Sequence, residues 1–365
     1  MGYKITMLGA GNMGSVLAAK FSQKNDVCVY LNEVESQYQF KKDIEVFCED
    51  EKKSYFGKIK KITTNIEEAI RYAEIIVITY PAFLFSKYAE LIIPHLTEGQ
   101  HLLFVPGSGG AELQFKKAVD KGVTISGLQR VHSVARLEER GVLVRESGIR
   151  KELNIASIPV SFNDEAAKIV SDLYSLPVTK LDNYLNVTLV NSNPILHTSR
   201  LYSIFKDYPE KIKQFDYIPL FYEEWSIETS KLLISMDCEL FKLFKRLGHF
   251  GLPVNQIKSL LEHYESTNEI EMTNKIRSIN SLKGLKTPSI KIKNKFIPDL
   301  ESRYFTADFP YGLDILLSFC EFFSINCEHL KMVSDWYRTI TKSKLVFSVQ
   351  GFFDNEKEFI EYYKK

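Results

Sequence analysis

The stretch KITMLGAGNMGSVLAAK, at residues 4–20, decides the fold of the first half of the chain. Its residues 5–8 predict a buried β-strand, and the small residues that close the stretch predict a helix packed on that strand. Between them, Gly9 permits a tight turn, Gly11 lets a pyrophosphate approach the backbone, and Gly14 lets the helix contact the strand. The stretch therefore predicts a strand–turn–helix unit that binds a dinucleotide at its helix N-terminus, the alternative being a glycine turn without a ligand.

The second predicted strand, residues 27–31, ends where folds of this kind recognise the adenosine ribose. A carboxylate at that place binds the ribose 2′-hydroxyl, whereas a basic residue accommodates a 2′-phosphate. Here Asn32 stands at the strand tip and Glu33 one residue later, with Lys41 and Lys42 further on. The sequence therefore predicts NAD or NADP as cofactor and leaves the choice between them open.

Two further strands end in turns at which a ligand is expected. The apolar strand at 74–79 leads to Pro81, and the strand at 101–105 leads to a second glycine-rich turn that begins with Pro106 and Gly107. Open α/β sheets bind ligands at the carboxyl ends of their strands; a plain turn before the next helix is the alternative for the second turn. The predicted cofactor contacts are Gly9, Gly11, Asn12, Met13, Gly14, Asn32, Pro81, Pro106 and Gly107.

The alternation of strands and helices ends near residue 179, after which the pattern is helical. Such alternation is typical of a doubly wound parallel sheet. The helical periodicity then covers 186–206, 222–247, 254–266, 310–325 and 328–343. We therefore predict an α/β protein with an N-terminal Rossmann-type doubly wound sheet at 1–184 and an all-helical C-terminal domain at 185–365. A cleft between two such domains is the expected place for a second substrate.

The composition excludes several classes of protein. The 365 residues are 45% hydrophobic and 25% charged, and the net charge of +1 gives no electrostatic reason to bind nucleic acid or an anionic membrane. The five cysteines are scattered without a Cys-x-x-Cys spacing, so neither a disulfide framework nor a zinc site is expected. No apolar run reaches about 18 residues. We expect a cytoplasmic monomer or homodimer that binds no nucleic acid, membrane or metal.

His197 is the first candidate for catalysis. It lies four residues after Asn193, so the two side chains share one face of a predicted helix. Pro194 would start or kink that helix. An amide and an imidazole beside a kink form a plausible catalytic device, although a lone helical histidine is more commonly a surface residue or a satisfied core residue.

Asp308 and Arg303 form the second candidate pair. Pro310 suits a first helical turn, which makes Asp308 a natural capping residue. A carboxylate beside an imidazole would instead fix the tautomer of the ring and favour its protonated form, as a general acid–base requires. Arg303, on a segment expected to be irregular, could pair with Asp308 or bind a substrate carboxylate in bidentate fashion.

Over nearly its whole length the chain resembles the opine dehydrogenase family, of the octopine and nopaline dehydrogenase types. The motifs that carry the resemblance are Gly9-x-Gly11-x-x-Gly14, Tyr80-Pro81-Ala82, Pro106-Gly107 with Gly109-Gly110, Asn193-Pro194-x-x-His197, Pro219-Leu-Phe-Tyr222, Lys283-Gly284-Leu285 with Pro288, and Arg303-Tyr-x-Thr-x-Asp308-x-Pro310-x-Gly312. The resemblance implies reductive condensation of an amino acid with a 2-oxo acid, with NADH or NADPH as reductant.

The resemblance also implies roles for individual residues. His197 matches the acid–base histidine of the family, Asp308 its carboxylate partner, and Arg303 an arginine that holds a substrate carboxylate. Asn193 would orient substrate or nicotinamide, or simply cap its helix. Arg130, in a stretch that aligns with the amino-acid pocket, would favour an additional substrate carboxylate, or else make a surface or phosphate contact.

Two other functions stay open. A 2-oxo or 3-hydroxy acid dehydrogenase of the same two-domain plan would reduce a ketone without an amine. A non-catalytic NAD(P)-binding sensor would keep the nucleotide site alone. Such a sensor has no need to retain Asn193, His197, Arg303 and Asp308 together.

Overall fold

The chain, described at residues 2–344 and 347–365 by a computed structural model, forms two compact units. Unit 1 comprises Met1–Thr188 and Glu361–Lys365, and unit 2 comprises Leu189–Ile360. The last five residues thus belong to unit 1, whereas the predicted boundaries assigned them to the helical domain. The reason is that the hydroxyls of Tyr362 and Tyr363 each donate a 2.7 Å hydrogen bond to Glu112, to its backbone and side chain respectively.

Unit 1 is built on strands separated by helices, as its alternating pattern predicts. Its strands are β1 (Lys4–Leu8), β2 (Asp26–Tyr30), β3 (Glu45–Cys48), β4 (Lys53–Phe56), β5 (Lys61–Thr63), β6 (Ile75–Ile78), β7 (His101–Phe104), β8 (Thr124–Leu128), β9 (Val134–Glu139), β10 (Leu143–Ser147), β11 (Leu153–Ile158) and β12 (Val178–Lys180). Its helices are α1 (Asn12–Phe21), α2 (Ile66–Tyr72), α3 (Phe85–Ile92), α4 (Ala111–Gln114), α5 (Lys116–Val119), α6 (Asn163–Tyr174) and α7 (Leu185–Thr188).

The main sheet of unit 1 carries the dinucleotide fold. Within the described residues it has eight strands in the order β12-β11-β8-β7-β6-β1-β2-β5. The central pairs, including β1 with β2 and with β6, are parallel, and among the described strands of this sheet only β11 and β8 pair antiparallel. All four residues of β6 are buried, as expected for a parallel strand covered on both faces.

A second sheet, in the order β4-β3-β10-β9, departs from the simple alternation that the sequence predicts. The strand pattern near residue 142 forms β10 in this sheet, where it pairs with β3 and β9 and packs on α1. Its residues alternate between buried and half-buried, so only one face of the strand is covered. A half-covered strand suits a small sheet that lies on a helix better than the centre of a doubly wound sheet.

Unit 2 is largely helical, in agreement with the predicted fold class. Its helices are α8 (Ser192–Phe205), α9 (Ile227–His249), α10 (Leu260–His263), α11 (Glu269–Ser278), α12 (Arg303–Thr306), α13 (Asp314–Phe322), α14 (Glu328–Thr341) and α15 (Glu356–Lys364), the last of which ends in unit 1. An antiparallel hairpin, β13 (Ser289–Ile292) and β14 (Lys295–Pro298), makes the prediction of an all-helical domain wrong in this detail.

The helix predicted at 254–266 is much shorter than its periodicity indicates. Ser259 and Glu262 form a reciprocal capping box, which fixes the start of α10 at Leu260. The helices α11 and α15 were not predicted. Among the described helices, none combines the length and the apolar character that a membrane span needs.

Candidate active site

His197 and Asp308 meet in unit 2, although 111 positions separate them in the chain. The Nδ1 atom of His197, on α8, lies 2.8 Å from Oδ2 of Asp308. The side chains are 12% and 24% exposed, so the pair is partly buried yet reachable from solvent. Asp308 makes no side-chain capping bond to the π-helical turn Phe309–Leu313 that follows it. Its carboxylate therefore serves the imidazole, not the helix end.

The local sequence explains how Asp308 reaches α8. Pro194 lies in the first turn of α8, where a missing N–H costs no helical hydrogen bond. Gly312 lies against it: a Cβ added there would stand 3.1 Å from Cβ of Pro194. Because Gly312 carries no side chain, the π-helical turn can approach the start of α8 and bring Asp308 to His197.

Tyr222 is a second partner of His197, one that the sequence analysis did not assign. Its hydroxyl lies 2.9 Å from Nε2 of His197, so both nitrogens of the ring are engaged. Burial raises the pKa of Tyr222, with the nearby Tyr304, Tyr264 and Asp308 adding to the effect, and the hydroxyl stays protonated. The signal available in the sequence was the motif Pro219-Leu-Phe-Tyr222, which gave no function to its tyrosine.

A pocket of about 220 Å³ collects the predicted substrate residues of unit 2. It is lined by Asn193, His197, Arg303, Tyr304 and Asp308. Arg303 begins α12 instead of lying on the irregular segment that was expected, and the residue is exposed. The ring of Tyr304 stands edge-on to His197 with centroids 4.7 Å apart. The pocket thus places a cation, an imidazole–carboxylate pair and an amide around one small volume.

Arg130 belongs to unit 1 and not to the unit that holds His197. It lines a pocket of about 120 Å³ together with Gln129, Arg150, Glu152, Leu153 and Asn154. Its role toward a substrate carboxylate stays a prediction. Among the described residues, no group of His, Cys, Asp and Glu could hold a metal ion.

The first glycine-rich turn has the shape that a pyrophosphate requires. Gly9 has a φ of +108°, and a Cβ on Gly14 would overlap the carbonyl oxygen of Gly9. By contrast, a Cβ on Gly11 would meet no atom within 4 Å. The open side of the turn is the N-terminus of α1, which begins at Asn12 and carries no side-chain cap. The residues present therefore fit a dinucleotide whose phosphates lie at this helix end.

After the tip of β2, Glu35 supplies the carboxylate, whereas the sequence analysis considered Glu33. Glu35 accepts hydrogen bonds from the backbone N–H of Ala10 (2.7 Å) and of Asn32 (3.1 Å). The Oδ1 atom of Asn32 accepts from the N–H groups of Val34 and Glu35, and the predicted contact of Asn32 with the cofactor stays a prediction. Asn32 and Glu35 thus form a reciprocal pair with the spacing of a capping box, which is the sequence signal that was missed.

The second glycine-rich turn is explained in part by packing. A Cβ on Gly107 would stand 2.5 Å from Cα of Gly127 and 2.8 Å from the hydroxyl of Tyr184. Pro106 and Pro81 are exposed, as a cofactor contact would require, and Met13 is half-buried. The contacts of these residues with a cofactor stay predictions.

Comparison with known proteins agrees with this arrangement. Residues 180–341 match the family described as NAD/NADP octopine/nopaline dehydrogenase, alpha-helical domain, and residues 4–138 match the N-terminus of NAD-dependent glycerol-3-phosphate dehydrogenase. Tauropine dehydrogenase of Arabella iricolor is 26% identical over 296 residues, which cover 76% of this chain and 74% of the relative. Opine dehydrogenase of Haliotis discus hannai is 24% identical over 342 residues, 85% of this chain and 84% of the relative.

Solved structures share the fold at lower sequence identity. Octopine dehydrogenase in its structure with NADH and L-arginine superposes with a TM-score of 0.82 at 19% identity, over 93% of this chain and 90% of that one. A Rossmann unit with this glycine turn, followed by this helical unit, defines an NAD(P)-dependent oxidoreductase. The C-terminal part of the chain thus matches the octopine/nopaline dehydrogenase family, and the chain as a whole is similar to tauropine and opine dehydrogenases.

Proposed function

We propose that this chain is an opine dehydrogenase that reductively condenses the amine of an amino acid with a 2-oxo acid, and so acts on a CH–NH bond. The observation that carries the proposal is the pocket in which His197, bound to Asp308, faces Arg303. The relatives named for tauropine, octopine and opine chemistry support it. So do the structures of octopine dehydrogenase with L-arginine and with pyruvate, which are an amino acid and a 2-oxo acid.

The pocket residues divide the chemistry among themselves. The guanidinium of Arg303 binds the carboxylate of the 2-oxo acid, for which its planar fork is suited. Asp308 accepts a hydrogen bond from Nδ1–H of His197 and so assigns the gain and loss of the ring's proton to Nε2. His197 takes a proton as the amine attacks the ketone and returns one as water leaves, which yields an imine. Asn193 orients the substrate through its amide.

The coenzyme, when bound, supplies the hydride that reduces the imine. Gly9, Gly11 and Gly14 shape the turn for its pyrophosphate, and Asn12 and Met13 present the N–H groups of the first turn of α1. Asn32, Pro81, Pro106 and Gly107 complete the proposed contacts. Of these residues, Gly11 has the free space that close approach of a phosphate needs.

The position of Glu35 favours NADH over NADPH. Its carboxylate accepts a hydrogen bond from the N–H of Ala10, beside the turn where the adenosine ribose is expected. A carboxylate there can accept from a ribose 2′-hydroxyl and repels a 2′-phosphate. Direct binding, followed by the fluorescence of NADH and NADPH, tests this: Glu35→Gln should narrow the preference for NADH by about tenfold. The matched variant Glu33→Gln, at an exposed carboxylate two residues earlier, should leave it unchanged.

The amino-acid substrate follows from Arg130, if that arginine faces the substrate. A basic side chain there favours an amino acid with an additional acidic group over a cationic one. Rates with acidic, neutral and basic amino acids measure this preference. Arginine as the best substrate would overturn the assignment of Arg130 and leave the proposed reaction intact.

The reaction itself is tested by the oxidation of NADH and NADPH across a panel of amino acids crossed with pyruvate and 2-oxoglutarate. The proposal requires that both substrates be present and that the product contain a secondary amine. Oxidation with the 2-oxo acid alone would make the chain a 2-oxo acid dehydrogenase. Coenzyme binding without turnover for any pair would make it a sensor.

A further inference from the structure

We infer that Tyr222 is a positioning residue that holds the exchangeable proton of His197 at Nε2, and that Arg200 fixes Tyr222 in that place. The inference rests on the proposed function, in which His197 moves protons. Neither residue is among those that line the pocket described above, so both act through His197.

The hydrogen bonds of His197 leave neither ring nitrogen without a partner. In the neutral ring, Nδ1–H donates to Asp308 at 2.8 Å, and the Tyr222 hydroxyl donates to Nε2 at 2.9 Å. In the protonated ring, Nε2–H donates and the Tyr222 oxygen accepts, since a hydroxyl serves in either sense. The neutral and the protonated ring can thus keep the same orientation.

Of the neutral and protonated forms of the His197 ring, Tyr222 favours the protonated one. A hydrogen bond from a charged donor is stronger than one between neutral groups, so the bond to Tyr222 stabilises the imidazolium more than the neutral imidazole. The hydroxyl cannot itself become an anion at neutral pH, because burial raises the pKa of Tyr222 far above its usual range. The other groups that face the ring or share its pocket are Asp308, Tyr304 and Arg303.

Arg200 clamps the loop that carries Tyr222. Its side chain is buried, and it donates to three backbone carbonyls of that loop: Nε to Phe221 at 2.9 Å, and Nη2 to Leu220 at 3.0 Å and to Glu224 at 2.8 Å. Burial lowers the pKa of Arg200 to about 10, which still leaves the guanidinium charged at neutral pH. A lysine could not make this fork of bonds.

The same clamp holds Tyr222 through an aromatic stack. The guanidinium carbon of Arg200 lies 5.4 Å from the ring centroid of Trp225, and the ring of Trp225 stacks on Tyr222 with an interplanar angle of 8°. Arg200 lies three residues after His197 on α8, one helical turn away on the same side. One helix therefore carries both the imidazole and the clamp, which fixes their spacing.

Tyr222→Phe removes the hydroxyl and keeps the ring and its stack. We expect kcat to fall about tenfold, the scale of one charge-assisted hydrogen bond, with the KM values of both substrates within about twofold. We also expect the high-pH limb of the pH–rate profile to move about one unit lower, because a tenfold loss for the protonated ring equals one pH unit.

Tyr217→Phe is the matched control, because Tyr217 directs its hydroxyl to Glu224 near the same loop and away from His197. It should keep the wild-type profile. Arg200→Lys should shift the limb in the same direction as Tyr222→Phe; if that variant does not fold, Tyr222→Phe still decides. A Tyr222→Phe enzyme with the wild-type profile would refute the inference and leave the proposed reaction standing.

A second measurement separates the inference from the proposed function. The imidazole ¹H and ¹⁵N signals of His197, assigned with a His197→Asn variant, report its protonation without turnover. In Tyr222→Phe the titration of these signals should move about one pH unit lower than in the wild type. If the wild type shows no amine-dependent turnover, the function fails and these signals alone decide; an unmoved titration would then refute the inference.

Discussion

Two of the imidazole–carboxylate pairs among the described residues differ in their access to solvent. In unit 2, Nδ1 of His197 lies 2.8 Å from Asp308; in unit 1, Nε2 of His132 lies 2.6 Å from Glu146. The first pair is 12% and 24% exposed and lines a pocket, whereas the second is 0% and 1% exposed.

Both pairs also have a hydroxyl partner. Tyr222 serves the first, while Ser133 donates to Glu146 at 2.7 Å and lies 3.1 Å from His132. Tyr55 donates a further bond to Glu146 at 3.1 Å. An imidazole, a carboxylate and a hydroxyl together are thus not enough to define a catalytic site. The buried pair His132–Glu146, called the sealed pair below, stabilises the fold. Of the two, only His197–Asp308, the open pair, can contact a substrate.

The sealed pair should matter most for stability. Burial by itself would raise the pKa of Glu146, but the hydrogen bonds from His132 and Ser133 outweigh it and hold that pKa at about 2. Glu146→Ala leaves these donors buried without an acceptor and should lower the free energy of unfolding by about 3–5 kcal/mol. Urea unfolding at pH 7 measures the loss.

The control for that prediction is Glu138→Ala, which removes an exposed partner of Arg145 from the neighbouring strand. It should cost less than about 1 kcal/mol. Because the pKa of Glu146 is lowered, its contribution is present above pH 4.5 and is lost as the pH falls toward 2. Equal stability of the two variants would contradict the assignment.

Glu112 extends the comparison, because it is a buried carboxyl that has no imidazole partner among the residues that the structure describes. Its Oε1 accepts from the hydroxyls of Thr188 (2.6 Å) and Tyr363 (2.7 Å), and burial raises its pKa to about 7. The pH dependence of stability is opposite to that of Glu146. The contribution of Glu112 is fully present below pH 4.5 and is lost as the pH rises to about 7.

Glu112→Gln should remove this pH dependence. At pH 8 the variant should avoid a cost of roughly 3 kcal/mol that the ionised wild type carries, the free-energy equivalent of the pKa shift. Urea unfolding from pH 5 to pH 8 measures the difference, with Glu98→Gln at an exposed site as the control. Parallel pH curves for wild type and Glu112→Gln would show that Glu112 is not protonated in the fold.

For a substitution of Arg303, which lines the same pocket as His197 and Asp308, we expect a smaller effect that is confined to the kinetics. Arg303→Lys keeps the charge but loses the bidentate fork, so the KM of the 2-oxo acid should rise about tenfold with little change in kcat or stability. Steady-state kinetics with a saturating amine measure this. Arg71→Lys, in a surface ion pair with Glu67, should change neither constant, and an unchanged KM in Arg303→Lys would remove Arg303 from substrate binding.

Local patterns predicted the parts of the fold that depend on neighbouring residues. The turn from Gly9 to Gly14 and the buried strand β6 follow from spacing and hydrophobicity alone. The fold class was confirmed on that basis. The hairpin β13–β14 and the short α10 were missed, because tertiary pairing and a capping box override helical periodicity at those places.

The site was predictable only in part, for a geometric reason. The resemblance named His197, Asp308 and Arg303, and the structure brings them to one pocket. Tyr222 was missed, since its contact with His197 depends on a loop that returns to a distant helix. No spacing along the chain encodes such a return, whereas the contact between Asn32 and Glu35 follows the local Asn-x-x-Glu spacing of a capping box.

The most direct test exchanges the two histidines for asparagine one at a time and measures turnover and unfolding on the same samples. His197→Asn should lower kcat by about 100-fold or more, the scale of a lost general acid–base, and keep nearly the wild-type unfolding free energy. His132→Asn should lower the unfolding free energy and keep kcat per folded molecule. Near-normal turnover in His197→Asn, or a greater loss of kcat in His132→Asn, would contradict the account.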